Sequence, residues 1–215
     1  MRKIIWYIKH YLMLLTGLLL MAFSVALAKV ATLGTSPISS IPNVLSFLVP
    51  LTIGQITIIF MIIIIFLEFL VLRSEFSWIN IIQLVPSLLF GLFIDLFVGW
   101  LSFVNFDYYW EKLGTTLLSI FILALGVLFE VNSKTVVMAG EGIAAAMALR
   151  WEKPFGIMKV RCDLTMMLVA AIMSLIFFRN LVGIREGTVL SALLTGRLEI
   201  MMERQLPGFI FWLRN

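Results

Sequence analysis

The sequence contains almost no histidine or cysteine and few charged side chains. Of its 215 residues, one is a histidine, one is a cysteine and 13% are charged. A single cysteine excludes a disulfide within the chain, and a single histidine excludes a metal cluster of histidine and cysteine ligands. The motifs His-Glu-x-x-His, Gly-x-Ser-x-Gly and Gly-x-x-x-x-Gly-Lys are also missing. These absences predict a protein that is not an enzyme and that uses no cofactor or metal.

Apolar residues are abundant instead and make up 62% of the chain. A soluble domain is roughly 45–50% apolar, and a domain of this size cannot hide the excess from water. Apolar runs of about 20 residues recur, which is the length that crosses a bilayer. The sequence therefore predicts a multi-pass protein of the lipid bilayer. Its net charge of +4 comes from loop residues, so no nucleic-acid partner is expected.

Six apolar segments predict six transmembrane helices, because lipid offers the backbone no hydrogen-bond partners outside the helix. They cover about residues 8–31, 53–72, 79–101, 113–131, 158–178 and 186–203. All six tryptophans fall at or just beyond the predicted ends, where such side chains prefer the membrane interface: Trp6, Trp78, Trp100, Trp110, Trp151 and Trp212. Basic residues are concentrated in the loops on the side of the membrane that holds the N-terminus. This bias predicts that both termini are cytoplasmic.

Two segments, 32–52 and 133–155, are expected to contain helices too short to cross. In the first, Ser36 and Pro37 predict a helix start, with the helix running to about Leu48. In the second, Gly140-Glu141-Gly142 precedes an alanine-rich run. Each helix could re-enter the membrane with its N-terminus near the midplane, or it could lie flat at the interface.

Related patterns recur about 105 residues apart and predict a duplicated unit, residues 1–105 and 106–215. The first copy holds Gly34-Thr35-Ser36-Pro37-Ile38, Arg73, Gly91 and Asp95, and the second holds Gly140-Glu141-Gly142-Ile143, Arg179, Gly196 and Glu199. Each unit has three crossings, so the second should be inverted relative to the first. Transporters are often built from such repeats, with the substrate site where the repeats meet.

The predicted substrate-binding residues are Thr35, Ser36, Ser39, Asn43, Asp95, Gly140, Glu141 and Gly142. Glu141 would face a positive helix end, where it could hold a cation, accept a proton or orient an amine; the alternative is a solvated loop carboxylate. Asp95 lies in an apolar span and needs a partner, which could be a substrate or a neighbouring structural group. Glu130 and Asp163 are expected near the inner ends of their spans, in interfacial roles.

Four short motifs carry a family resemblance. They are Gly34-Thr35-Ser36-Pro37, Thr52-Ile53-Gly54-Gln55, Gly91-Leu92-Phe93-Ile94-Asp95, and Gly183-Ile184-Arg185-Glu186-Gly187-Thr188 with Gly196. Together they resemble the YczE/YyaS/YitT group of bacterial integral membrane proteins, although Arg185-Glu186 interrupts a turn that should be richer in glycine. The resemblance implies a bacterial inner-membrane protein and a group suspected of transport, and it implies no binding residues.

The leading functional hypothesis is a small secondary transporter that moves an anionic or zwitterionic small molecule by alternating access. One alternative is the substrate-binding membrane subunit of an energy-coupling transporter, docked through Ala22-x-x-x-Ala26. Another is a scaffold or assembly factor that moves nothing. A homodimer is an alternative to a monomer, because each three-helix unit makes only a thin wall.

Overall fold

The computed structural model describes residues 2–205, 207, 208 and 211, and within these residues the chain is helical and has no strand. The α-helices are α1 (Arg2–Ala31), α2 (Pro37–Leu45), α3 (Ile53–Leu72), α4 (Leu84–Trp100), α5 (Tyr109–Asn132), α6 (Ala139–Arg150), α7 (Phe155–Phe178) and α8 (Glu186–Gln205). Two short 3₁₀ helices, Arg73–Glu75 and Trp78–Gln83, connect α3 to α4. Trp212 and the end of the second predicted unit lie outside the described residues.

Five helical stretches of the described chain are long and apolar enough to cross a bilayer, as expected of a multi-pass membrane protein. They are Ile4–Ala31, Ile53–Glu75, Asn80–Trp100, Tyr109–Asn132 and Phe155–Phe178. The sixth predicted crossing, 186–203, does form a helix, α8, but charged residues along it keep it out of this set. Five crossings are therefore confirmed by length and composition, and the sixth stays a prediction.

The helices α1 and α5 form an antiparallel pair in the centre of the protein. A Cβ atom on Gly17 would lie 2.8 Å from the carbonyl oxygen of Gly126, so the two backbones touch there. Further along, the Ser24 hydroxyl donates a hydrogen bond of 2.7 Å to the carbonyl of Ser119. As the residue number rises along α1, the number of its neighbour on α5 falls, which fixes the antiparallel direction.

The two short helices are buried inside the protein. Residues 37–44 of α2 and residues 139–144 of α6 are all buried. Each short helix packs against both α3 and α7. The helix α2 starts at Pro37 as predicted but ends at Leu45 and not near Leu48, and the Ser36 hydroxyl does not cap it.

The starts of three helices repeat at a constant interval. The helices α2, α3 and α4 begin at residues 37, 53 and 84, and α6, α7 and α8 begin at 139, 155 and 186, which is 102 residues later in each case. The ends of the same helices recur 105 or 106 residues later, close to the interval of about 105 in the sequence patterns. The starts align Ile38 with Gly140, and the duplicated unit stays a prediction.

Candidate functional site

The N-terminal ends of the two short helices meet. A Cβ atom on Gly140 would lie 1.7 Å from the Cδ1 atom of Ile38, so the first turn of α6 rests directly on the first turn of α2. Any larger residue at position 140 would force the two turns apart or displace Ile38. Both helices therefore direct their unpaired backbone N–H groups toward one region of the protein interior.

A cavity of about 550 Å³ opens beside this junction. The ends of the short helices contribute Ser36, Pro37, Ile38, Met138 and Glu141 to its wall. The helices α1, α4 and α5 add apolar side chains to the wall. The helices α7 and α8 contribute most of its polar and charged side chains: Lys159, Asp163, Ser191, Thr195, Arg197, Glu199 and Glu203. The volume lies within the roughly 300–1,000 Å³ range of small-molecule sites.

An ion-paired cluster lies on the wall between α6 and α7. The Lys159 ammonium is 3.2 Å from Glu141 Oε1 and 3.1 Å from Asp163 Oδ1, so one cation bridges two carboxylates. The Glu141 side chain is only 8% exposed, and its second oxygen, Oε2, is buried without a hydrogen-bond partner among the described residues. The cluster thus leaves one buried carboxylate oxygen without a partner in a residue of the cavity wall.

A second carboxylate, Glu130, supports the start of α6. It lies near the end of α5, as expected, but its side chain is fully buried and not interfacial. Its Oε1 atom accepts a hydrogen bond of 2.7 Å from the backbone N–H of Met138. Negative charge is favourable at this end of a helix, so Glu130 fixes the turn from which Glu141 projects.

A smaller cavity of about 10 Å³, enough for one water molecule, lies on the far side of Ser36. Hydroxyl groups dominate its wall, and they come from Ser24, Thr35, Ser36, Thr116, Ser119 and Ser191. The Thr35 and Ser36 hydroxyls are buried and find no hydrogen-bond partner among the described residues. Ser36 and Ser191 line both cavities, so a polar path continues from the large cavity toward α1 and α5.

Three of the predicted site residues lie outside the walls of both cavities. Asn43 donates a hydrogen bond of 2.8 Å to the carbonyl of Gly183 and so ties α2 to the loop before α8. A Cβ atom on Gly142 would lie 2.1 Å from the side-chain oxygen of Gln83, so Gly142 makes room for that residue. Ser39 is buried inside α2, away from both cavity walls.

Asp95 also lies away from the cavities and holds the start of α3. Its carboxylate accepts hydrogen bonds from the Thr52 hydroxyl and, at 2.7 Å, from the Gly54 backbone N–H. The motifs Thr52–Gln55 and Gly91–Asp95, noted in the sequence, therefore meet each other. The motifs around Gly34 and Gly187 meet in the same way, because the Gly187 N–H donates to the Leu33 carbonyl at 2.8 Å.

We expect Asp95→Ala to lower stability without changing ligand affinity, because it removes a cap and no cavity residue. Loss of a helix cap costs about 0.5–2 kcal/mol, or a drop in apparent Tm of roughly 3 °C for a chain of this size. Thermal unfolding in detergent measures it, with Asp107→Ala in an exposed loop as the control. A change in ligand affinity larger than the change in stability would contradict this structural role.

The sequence interpretation missed the importance of Lys159. It was assigned to the basic residues of the cytoplasmic side, but α7 begins at Phe155, so Lys159 lies one turn inside a helix. The signal that could have revealed it is its spacing from Asp163, because residues four apart share a helix face and form ion pairs. Its pairing with Glu141 is a tertiary contact that no spacing predicts.

Residues 8–204 match one family, described as a family of unknown function, DUF6198. No curated protein matches the chain, and no solved structure matches it. The family's description does not mention the YczE/YyaS/YitT group, so that resemblance stays a prediction.

Proposed function

We propose that this chain, which belongs to the DUF6198 family of unknown function, is a small secondary transporter that moves a polar solute by alternating access. One observation carries the proposal: the N-terminal ends of two buried short helices meet beside a charged cavity. Broken or short helices that point their N-termini at a central site are typical of transporters with inverted repeats.

The contacts between the two halves support an inverted repeat. If each residue is exchanged for its counterpart 102 positions away, the contact of Gly17 with Gly126 becomes the contact of Ser119 with Ser24, which also occurs. The same exchange converts the contact of Ile38 with Gly140 into itself, as a pseudo-twofold axis through that contact would require. The antiparallel direction of α1 and α5 fits an axis that runs across the helices, which is the arrangement of inverted repeats in a membrane.

The lengths of the short helices support re-entry from opposite faces. The end of α2 lies near the end of α1, because Lys29 donates a hydrogen bond of 2.9 Å to Ser46. Its nine residues reach about 13 Å inward, and the twelve residues of α6 reach about 18 Å. End to end, the two helices match the hydrocarbon core of about 30 Å.

The proposal includes α8 as a sixth crossing of a bacterial inner membrane, with both termini in the cytoplasm. The charges that make α8 unlike the other long helices are mostly on its cavity side, since Arg197, Glu199 and Glu203 all line the cavity. Ionisable residues in membrane helices normally face such a cavity.

The cavity charge favours a zwitterionic or cationic solute. Among the described residues, four carboxylates line the cavity (Glu141, Asp163, Glu199 and Glu203) against two basic side chains, Lys159 and Arg197. The helix ends alone favour an anion, which was the basis of the sequence hypothesis. Each carboxylate of this wall carries a full charge when it is ionised, compared with about one half at a helix end, so the carboxylates outweigh the helix ends.

We expect Glu141→Gln to reduce solute uptake into proteoliposomes by about tenfold or more, which corresponds to ~1.4 kcal/mol or more of lost interaction. Uptake is measured across labelled amino acids, polyamines and quaternary amines, with dicarboxylates as the anionic comparison. Glu152→Gln is the matched control, because Glu152 is exposed beyond the end of α6.

Uptake that is equal in Glu141→Gln and wild type would remove Glu141 from the mechanism. Folded protein that takes up nothing from the whole panel would contradict the transporter itself and favour a scaffold. Binding without uptake, with a larger protein co-purifying, would favour the substrate-binding subunit.

A further inference from the structure

The bridging cation of the Glu141 cluster is part of the protein itself. Lys159 lies between the carboxylates of Glu141 and Asp163, at 3.2 and 3.1 Å. Its side chain is 25% exposed and lines the cavity. The flexible four-carbon stem of lysine lets this group move away without moving the backbone.

The carboxylates exceed what Lys159 can neutralise. Glu141 Oε2 is buried and has no hydrogen-bond partner among the described residues, although the side chain is more than nine-tenths buried and lines the cavity. Glu199, on α8, lines the same cavity. A buried carboxylate oxygen without a hydrogen-bond partner carries an uncompensated desolvation cost, so a cation from the cavity would stabilise the site.

We infer that Glu141, Lys159 and Asp163 form a cation-exchange site, in which a small cation from the cavity displaces the Lys159 ammonium from Glu141. The inference rests on the proposed transporter and specifies the charged group of its cargo or coupling ion. A protonated primary amine reproduces the chemistry of Lys159 most closely, because it carries the same charge and the same three N–H donors. An inorganic monovalent cation supplies the charge alone.

The exchange explains why a transporter would keep a lysine there. Without a ligand, Lys159 pairs with Glu141, so the empty protein can change its conformation without leaving that carboxylate unpaired. With a ligand bound, Lys159 moves into the cavity and the ligand takes its place beside Glu141. Glu141 therefore has a cationic partner in both directions of the cycle, and the loaded cavity carries one more positive charge than the empty one.

Ligand-dependent thermal stability of the full chain in lipid nanodiscs tests the inference, with Lys159→Ala as the main variant. We expect methylammonium chloride to raise the apparent Tm of Lys159→Ala in a saturable way, by on the order of 5 °C when the site is nearly full. Wild type should need about tenfold more methylammonium, because Lys159 competes for the site. Choline chloride at equal ionic strength should give no saturable shift, since its ammonium group has no N–H donor.

The double variant Lys159→Ala with Glu141→Gln is the matched control and should lose the shift. If sodium chloride raises the Tm of Lys159→Ala as much as methylammonium does, the ligand of the site is an inorganic cation. If only methylammonium raises it, the ligand is an amine. If neither salt exceeds choline, the cation-exchange site is wrong. Should Lys159→Ala fail to fold, wild type and Glu141→Gln are compared in the same titration, and equal responses overturn the inference.

These measurements follow binding and not flux. If no saturable Tm shift occurs, the cation-exchange site is wrong, and the chain can still be a transporter of another solute. Failure of uptake in proteoliposomes, with the saturable shift present, contradicts the transporter and leaves a cation-binding site.

Discussion

A disulfide joining the starts of α2 and α6 is expected to form on oxidation and to stop transport. The variant combines Ile38→Cys and Gly140→Cys with Cys162→Ala, which removes the native thiol. A Cβ atom at position 140 lies 3.0 Å from Ile38 Cγ1, and one bond of about 1.5 Å separates that atom from the Ile38 Cβ. The two Cβ atoms therefore lie within about 4.5 Å of each other, which a disulfide can bridge.

The expected loss of uptake follows from the position of this contact. In the proposed cycle, the two halves rock against each other and expose the cavity first to one side and then to the other. A covalent bond between the helix starts would keep them together throughout the movement, even though this contact is expected at both ends of the cycle. We expect oxidation to lower uptake by about tenfold or more and reduction to restore it, because the halves can no longer separate at this junction as they move.

Cross-linking is measured after inserting a protease site into the loop between α4 and α5. Cleaved halves that remain together on a non-reducing gel are joined by the disulfide. The matched control is Ile38→Cys with Gly114→Cys, because nothing in the described chain lies within 4 Å of a Cβ at Gly114. Absence of cross-linking would contradict the contact, and cross-linking without loss of uptake would contradict rocking at this junction.

The sequence predicted where most helices lie, because the length of an apolar segment and the residues at its ends both indicate where a helix begins and ends. The expected segment 53–72 coincides with α3, and Pro37 begins α2 because proline fits the first helical position. The start of α1 was placed at residue 8, but the helix begins at Arg2. Its first turns carry charged and aromatic residues, which are equally frequent in the loops that border a membrane.

The partners of buried polar residues could not be predicted from spacing. Glu141 was identified because a carboxylate between two glycines at the start of a short helix would face a positive helix end, and it lies on the cavity wall. Asp95 had an equally suggestive environment, but it caps the neighbouring helix α3. The difference depends on which helix faces each residue, and that depends on the packing of the whole bundle.

The glycines show the same limit. Gly34 adopts a positive φ of 98° and lies against Thr188, so it shapes a turn and makes no ligand site. Gly140 is needed for the close approach of Ile38. Both belong to the predicted repeat motif, yet the physical reasons for the two glycines differ, and the sequence pattern does not reveal that difference.

The largest loss of stability is expected from Gly54→Val, at the crossing of α3 and α4. A Cβ atom at Gly54 would lie 2.1 Å from the carbonyl oxygen of Gly91 and 2.5 Å from the carboxyl carbon of Asp95. The first of these is backbone and cannot rotate away. Overpacking of this kind costs about 1–3 kcal/mol and sometimes more, so we expect a fall in apparent Tm on the order of 10 °C, or no folded protein.

Gly99→Val is the control, because it places the same side chain in α4 where a Cβ meets nothing within 4 Å. Both substitutions change helix propensity alike, so the difference in stability between the two variants isolates the close approach of α3 and α4.

The Gly54→Val variant also tests whether Asp95 is a helix cap or a substrate-binding residue. If the Asp95 carboxylate caps α3, Gly54→Val displaces it. Adding Asp95→Ala to Gly54→Val should then cause no further loss of stability, although Asp95→Ala alone lowers the stability of wild type, because neighbouring substitutions are not additive. Additive losses, or equal stability of the two valine variants, would contradict the crossing that holds Asp95 away from the cavity.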